Sequence, residues 1–253
     1  MPESRPAAAW GLLAAHAAAA GRRVSVTDVC AVAVRSVRVS GAWVAAASDN
    51  RGPDFVLSAT DGVAEQLAEL QLTLGEGPSH EVLAAAAPVL AADLGDEQSG
   101  RRWPGFAAQA SLLGAGAVFA FPLTIGAIQT GVMGLYSSSP GPLSWEQLGD
   151  ALILADAATV LLLDGVGNGA NGGTAADAGP VMDGHSPDLA LHRAEIDQAT
   201  GMLTVQLGVP MGEAFVRLRA YAYAHDRRLG DVARDIVARR LRLHDDPSRD
   251  GAP

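Results

Sequence analysis

At 253 residues, 49% of them apolar, the chain has room for two modest domains of roughly 100–200 residues each and is too apolar to be disordered throughout. Its 18 basic residues are all Arg and it has a single Cys, which excludes a Walker lysine, a Schiff base, an internal disulfide and a Cys-rich zinc site. The net charge of -10 speaks against a uniformly basic nucleic-acid binder, but it is uneven: residues 1–185 carry 8 Arg against 18 Asp+Glu (net -10), residues 186–245 carry 9 against 8 (net +1), and residues 246–253 carry 1 against 2 (net -1).

In chain order, Ala7 to Ala19 has helical spacing, and Glu3 and His16 favour an ordinary first helix over a secretory leader. Thr27 is the expected N-cap of a second helix reaching Val37. Gly41 to Ser48 and Asp54 to Ala59 read as strands joined by a turn on Asp49 to Pro53. Val63 to Leu72 returns to helical spacing, Val89 to Leu94 is a short strand, and Pro104 to Leu113 is a helix with Pro in its first turn. Ala117 to Ile125 and Thr130 to Ser137 form a hairpin pattern. Ser144 and Gln147 make a capping-box pattern before a helix that runs to Leu163. No apolar run reaches the ~18 residues of a membrane span, because the longest, Ala151 to Leu163, carries Asp156. With one Cys, the expected location is the reducing cytoplasm.

The domain expectation follows: an α+β domain over 1–164, a flexible Gly-rich linker over 165–187, a helical domain over 188–245 and a disordered tail over 246–253. A G-x-G-x-x-G match at Gly167, Gly169 and Gly172 falls in the linker and follows a helix instead of a strand, so it is read as linker composition. Beyond it, Ser186 and Pro187 mark a helix start, and Leu189, Ile196 and Leu203 recur every seven residues. Further helices are expected from Met211 to His225 and from Leu229 to Leu243.

Two motif sets resemble known families. Ile196-Asp-Gln-Ala-Thr-Gly-Met-Leu203, then Glu213-Ala-Phe-Val-Arg-Leu-Arg219, then Leu229-Gly-Asp-Val-Ala233 resemble the ANTAR antiterminator module. That resemblance implies a three-helix domain that binds RNA stem-loops and prevents transcription termination. Thr200 stands where the family usually has Lys, which removes one phosphate contact. The segments Ala59-Thr-Asp-Gly-Val-Ala64, Leu74-Gly-Glu-Gly-Pro78, Arg102-Trp-Pro-Gly-Phe106, Val118-Phe-Ala-Phe-Pro-Leu123, Gly131-Val-Met-Gly-Leu-Tyr136 and Leu152-Ile-Leu-Ala-Asp-Ala157 resemble the GAF domains of actinobacterial GAF–ANTAR proteins. This implies an antiparallel sheet flanked by helices, a homodimer, and a candidate small-molecule pocket of unknown ligand. Ser79 occupies the place where many relatives carry Cys after the Gly-Glu-Gly-Pro motif.

No metal spacing joins the six histidines, and His80-Glu81 and Cys30 are assigned to capping and to the core, so no metal, cofactor or catalytic residue is expected. Trp103, Phe106 and Phe121 are the pocket candidates of the first domain. On the resemblance and on the affinity of guanidinium for phosphate, the RNA-contact candidates are Gln198, Ala199, Thr200, Gly201, Arg219, Tyr223, Arg227 and Arg228. Arg217 and Arg239 are discounted because Glu213–Arg217 and Asp235–Arg239 have ion-pair spacing. The function expected is an RNA-binding transcription antitermination regulator with a sensory or dimerising first domain. A DNA-binding regulator and a GAF-based signalling protein with a decayed RNA-binding domain remain alternatives.

Overall fold

Two compact units, Met1–Leu189 and Ala190–Pro253, make up the chain. The computed structural model describes residues 4–47, 55–126, 128–170, 187–225 and 227–243, and side chains outside 164–170 and 187–193. The first unit is built on strands whose apolar residues face both ways. These are β1 (Gly41–Ala46), β2 (Phe55–Ala59), β3 (Val89–Ala91), β4 (Ala117–Ile125) and β5 (Ile128–Ser137). All neighbouring pairs are antiparallel, in the order β2-β1-β5-β4-β3.

Because side chains alternate along a strand, β4 sends Phe119, Phe121 and Leu123 to one face and Val118 and Ala120 to the other. The first face is covered by α1 (Arg5–Ala19), α2 (Val26–Val37) and α7 (Trp145–Ala170). The second packs against α3 (Gly62–Leu74), α4 (Pro78–Ala85) and α6 (Pro104–Leu112), with α5 (Glu97–Arg102) beside α6. Trp43 faces this second layer directly opposite Gly134. A Cβ at Gly134 would lie 2.0 Å from Trp43 Cε2, so the indole requires a glycine beneath it.

The α+β expectation holds, with local corrections. Ser25, not Thr27, caps α2. The Asp28 carboxylate, three residues on, accepts from the Ser25 amide at 2.8 Å. The short α5 was not expected; Asp96 caps it by accepting from Ser99 N at 2.6 Å. The expected box at α7 forms, with Ser144 N donating to Gln147 Oε1 at 2.8 Å and Gln147 N to Ser144 Oγ at 3.2 Å. Helix α7 continues past Leu163 to Ala170, so Gly167 and Gly169 are helical, while Gly172, Ser186 and the turn at 49–53 lie outside the described residues. Cys30 is fully buried on α2, and burial pushes its thiol up to about 12.

Asp28 is a heavily bonded charge of this unit. Its side chain has no exposed surface. It accepts from Arg22 Nη1 at 2.5 Å and Nη2 at 2.7 Å, and from Ser25 Oγ at 3.0 Å. His16 Nδ1 lies 2.6 Å away and carries the proton, since an ionised carboxylate only accepts. Burial alone raises a carboxyl pKa, but the hydrogen bonds from Arg22, His16 and Ser25 outweigh it and hold Asp28 below its ordinary 3.8.

The second unit contains α8 (Pro187–Leu207), α9 (Met211–Ala224) and α10 (Leu229–Val237). Among the described residues, its buried residues include Ile196, Ala199 and Leu203 from α8, Ala214, Leu218 and Ala222 from α9, and Leu229, Val232, Ala233 and Ile236 from α10. The third helix is six residues shorter than the Leu229 to Leu243 expectation, because the chain turns at Arg239 with φ 57°.

Asp28→Asn is expected to destabilise the first unit by about 3 kcal/mol at neutral pH, since it strands Arg22 beside a buried neutral group. Tryptophan fluorescence in urea reads this unit selectively, because all four Trp (10, 43, 103 and 145) lie in it. A carboxyl with lowered folded pKa contributes above its unfolded pKa and loses that contribution as pH falls through the folded value. The difference between the parent and variant proteins is therefore expected to shrink below about pH 3.8.

Candidate nucleic-acid interface

The four candidates on α8 divide between two faces. Gln198 is exposed and Gly201 is half-buried. Ala199 is fully buried, and Thr200 is 4% exposed with its hydroxyl donating to the Ile196 carbonyl at 2.7 Å. Ala199 and Thr200 therefore pack the helical core and present no side chain for a direct contact. Val205 stands out from the same helix, 85% exposed.

Helix α9 offers a more continuous outer face. Gly212, Val216, Ala220 and Tyr223 recur at helical spacing and are all exposed, opposite buried Ala214, Leu218 and Ala222. Arg219 borders this face, its guanidinium 5.8 Å from the Phe215 ring centroid, and burial lowers its pKa. Tyr221 and His225 stack at 3.9 Å, and His225 Nδ1 donates to the Tyr221 carbonyl at 2.9 Å, placing two rings at the end of α9. Flat rings beside guanidinium groups are what unpaired RNA bases stack upon.

Arg227 and Arg228 lie in the turn from α9 to α10. Arg227 N donates to the Ala222 carbonyl at 2.9 Å, closing the turn, and Arg228 is the N-cap residue of α10 with an exposed side chain. Arg227 has an acidic partner on α10. Its Nη2 donates to Asp235 Oδ2 at 2.6 Å. Asp235 also accepts from Arg240, with Nη2 2.7 Å and Nε 2.8 Å from Oδ1. These two hydrogen bonds, Arg227 first, hold the Asp235 carboxyl below its ordinary value. The expected Glu213–Arg217 pair forms at 2.8 Å, whereas Asp235 spends its oxygens on Arg227 and Arg240. The reason for discounting Arg239 is thereby removed.

In the first unit, Trp103 and Phe106 meet edge to face at 6.5 Å and are 3% and 0% exposed. Arg102 covers Trp103 at 4.3 Å and pairs with Glu81. Glu76 Oε1 accepts from the amides of Gly105 and Phe106 at 2.7 and 2.8 Å, tying the Gly-Glu-Gly-Pro motif to the start of α6. Gln71 Oε1 in turn accepts from Ser79 N at 2.7 Å. Phe121 faces the opposite side of the sheet, so the structure groups Trp103 with Phe106 but not with Phe121. An open depression of about 300 Å³ lies elsewhere, lined by Arg38, Ser40, Ser138 and Gln147 among others. Among the described residues no group of three or more His, Cys, Asp or Glu is placed to hold a metal, and no helix is long and apolar enough to cross a membrane.

Comparison with known proteins places the ANTAR domain family on residues 190–237. No curated protein matches the chain. Similar solved structures include the GAF domain of a Coxiella burnetii phosphoenolpyruvate-protein phosphotransferase, at 12% identity and TM-score 0.48, covering 66% of this chain and 99% of that one. They also include the GAF domain of the Acinetobacter phosphoenolpyruvate-protein phosphotransferase, at 12% identity and TM-score 0.47, covering 64% and 97%. A third is the cyanobacteriochrome TePixJ GAF domain, at 16% identity and TM-score 0.40, covering 54% and 85%.

Glu76→Ala is expected to cost the first unit about 1–2 kcal/mol by leaving two helix-start amides of α6 without their acceptor. Urea denaturation followed by tryptophan emission measures this, and an unchanged midpoint would show that water replaces the carboxylate at no cost.

Proposed function

We propose that this chain is a cytoplasmic RNA-binding regulator of transcription antitermination, in which the second unit binds a paired RNA stem-loop and the GAF-like first unit acts as a sensory and dimerising domain. The ANTAR match over 190–237 carries this reading. It is supported by the aromatic and arginine side chains at the end of α9, where exposed Tyr223 and Arg228 are joined by Arg219 and Arg227. Phosphate contacts position the RNA and ring stacking engages loop bases. No catalytic step is part of this reading, and the small-molecule signal of the first unit is left open.

Dimerisation adds to the reading, because one unit of this size offers few phosphate contacts and two tethered copies raise the effective concentration of the second. Helix α7 exposes Trp145 (86%), Leu152 (41%), Val160 (46%) and Leu163 (42%). Their spacing puts them on one side of the helix, with exposed Asp156 between them. A second copy packing along this stripe would bury it.

Titration of the full chain with a stem-loop RNA is expected to show selective binding over a scrambled single strand, weakening as salt rises. Arg228→Ala is expected to lower the salt slope by about 1 with little effect on selectivity. Tyr223→Ala is expected to weaken stem-loop binding about tenfold through lost stacking. Equal affinity for both RNAs, or no salt dependence, would refute the assignment. For the dimer, sedimentation of Leu152→Glu is expected to give a monomer where the parent chain gives a dimer.

A further inference from the structure

The segment after α10 is not a frayed helix end. Arg240 N and Leu241 N both return to the Asp235 carbonyl, at 2.8 and 3.1 Å, after the left-handed turn at Arg239. Leu243 is 8% exposed, and its carbonyl accepts from Gln206 Nε2 on α8. Residues 238–243 are therefore anchored at both ends, by α10 and by α8.

This anchored arm carries Arg239, Arg240 and Arg242, all exposed. The Asp235 carboxylate bridges it to the α9–α10 turn by holding Arg240 and Arg227 together. Two guanidinium groups that would otherwise repel are kept side by side at one carboxylate. Arg228 adjoins Arg227, and Arg239 and Arg242 lie within two residues of Arg240. Two arginines thus meet at one carboxylate, and three more stand within two residues of them in sequence. The nearby Asp231 is paired instead with Arg234 at 3.1 Å, and Arg234 also meets Glu195 at 3.2 Å. Among the described residues no carboxylate pairs with Arg228, Arg239 or Arg242. Asp226 and Asp245 flank this stretch in sequence and lie outside the described residues.

We propose that residues 238–243 form a phosphate-binding arm of the second unit, in which Asp235 is a positioning residue that sets Arg240 beside Arg227 so that Arg228, Arg239, Arg240 and Arg242 engage the RNA backbone. The proposal rests on the RNA-binding reading and extends it past residue 237, where the family match ends. The chemistry is that of phosphate recognition: the planar fork of each guanidinium donates two hydrogen bonds to phosphate oxygens, and a cluster neutralises several phosphates at once.

The test uses the full chain and a stem-loop RNA, with anisotropy titrations over a range of salt. The double variant Arg239→Ala/Arg242→Ala alters two exposed side chains outside any helix. It is expected to weaken binding tenfold or more at low salt and to lower the salt slope by about 1.5–2. Asp235→Asn separates positioning from neutralisation. A carboxylate that only offsets positive charge would, when lost, let RNA bind more tightly. A positioning carboxylate would, when lost, let RNA bind several-fold more weakly, with partial recovery in Asp235→Glu. Circular dichroism of each variant checks that the helices are kept. Unchanged affinity and slope in the double variant, with the parent chain still binding, overturn the arm and leave the RNA reading standing. Tighter binding by Asp235→Asn overturns the positioning role. Absence of RNA binding by the parent chain overturns both.

Discussion

The first unit depends on a sheet that is buried on both faces. Every residue of β1 from Gly41 to Ala45 is buried, as are the first five residues of β4. Each strand therefore serves two cores at once, and a one-residue slip would exchange them. The Trp43–Gly134 pair fixes the register of β1 against β5: no side chain other than hydrogen fits at 134 under that indole. Gly41 is similarly constrained, since a Cβ there would fall 2.3 Å from both Asp61 Oδ2 and Tyr136 Cε1. Tyr136 donates to Asp61 Oδ1 at 3.1 Å, and Asp61 caps α3. One phenol and one carboxylate thus link the end of β5 to α3, the helix that follows β2, and pack closely against the start of β1.

Much of this was legible from residue patterns. Alternation and apolar runs located the strands. What pattern did not show was which face each residue takes within a doubly buried strand. Trp103, Phe106 and Phe121 are all large aromatics, and composition alone does not separate them. Only the pleat, set by pairing with Met133, turns Phe121 to the α1–α2–α7 side. The cap of α2 was legible in principle, because Ser25 and Asp28 have capping-box spacing, but Thr27 stood nearer the apolar run. Helix α5 is too short for any helical period to register.

The second unit shows the complementary limit. Its helices follow from apolar periodicity, and Ala199, Ala214, Ala222 and Ala233 are all buried small residues at helix contacts. Its electrostatics do not follow from spacing. Asp235 and Arg239 are four apart, yet the helix ends between them and the carboxylate turns to Arg227 and Arg240 instead. An i,i+4 rule holds only while the helix does, and a C-terminal turn reassigns every charge beyond it. Thr200 illustrates the same dependence on orientation: two residues after the outward-facing Gln198, it points into the core and bonds back to Ile196.

Cys30 is the sole thiol of the chain, fully buried on α2, and holds its proton up to about pH 12. At neutral pH it has almost no thiolate to offer an electrophile. The natural sequence is therefore a ready background for chemical labelling. A cysteine placed on any exposed position would be the one fast-reacting thiol, with no native residue to remove first. Distance probes could then be attached to either unit without disturbing the core beneath the sheet.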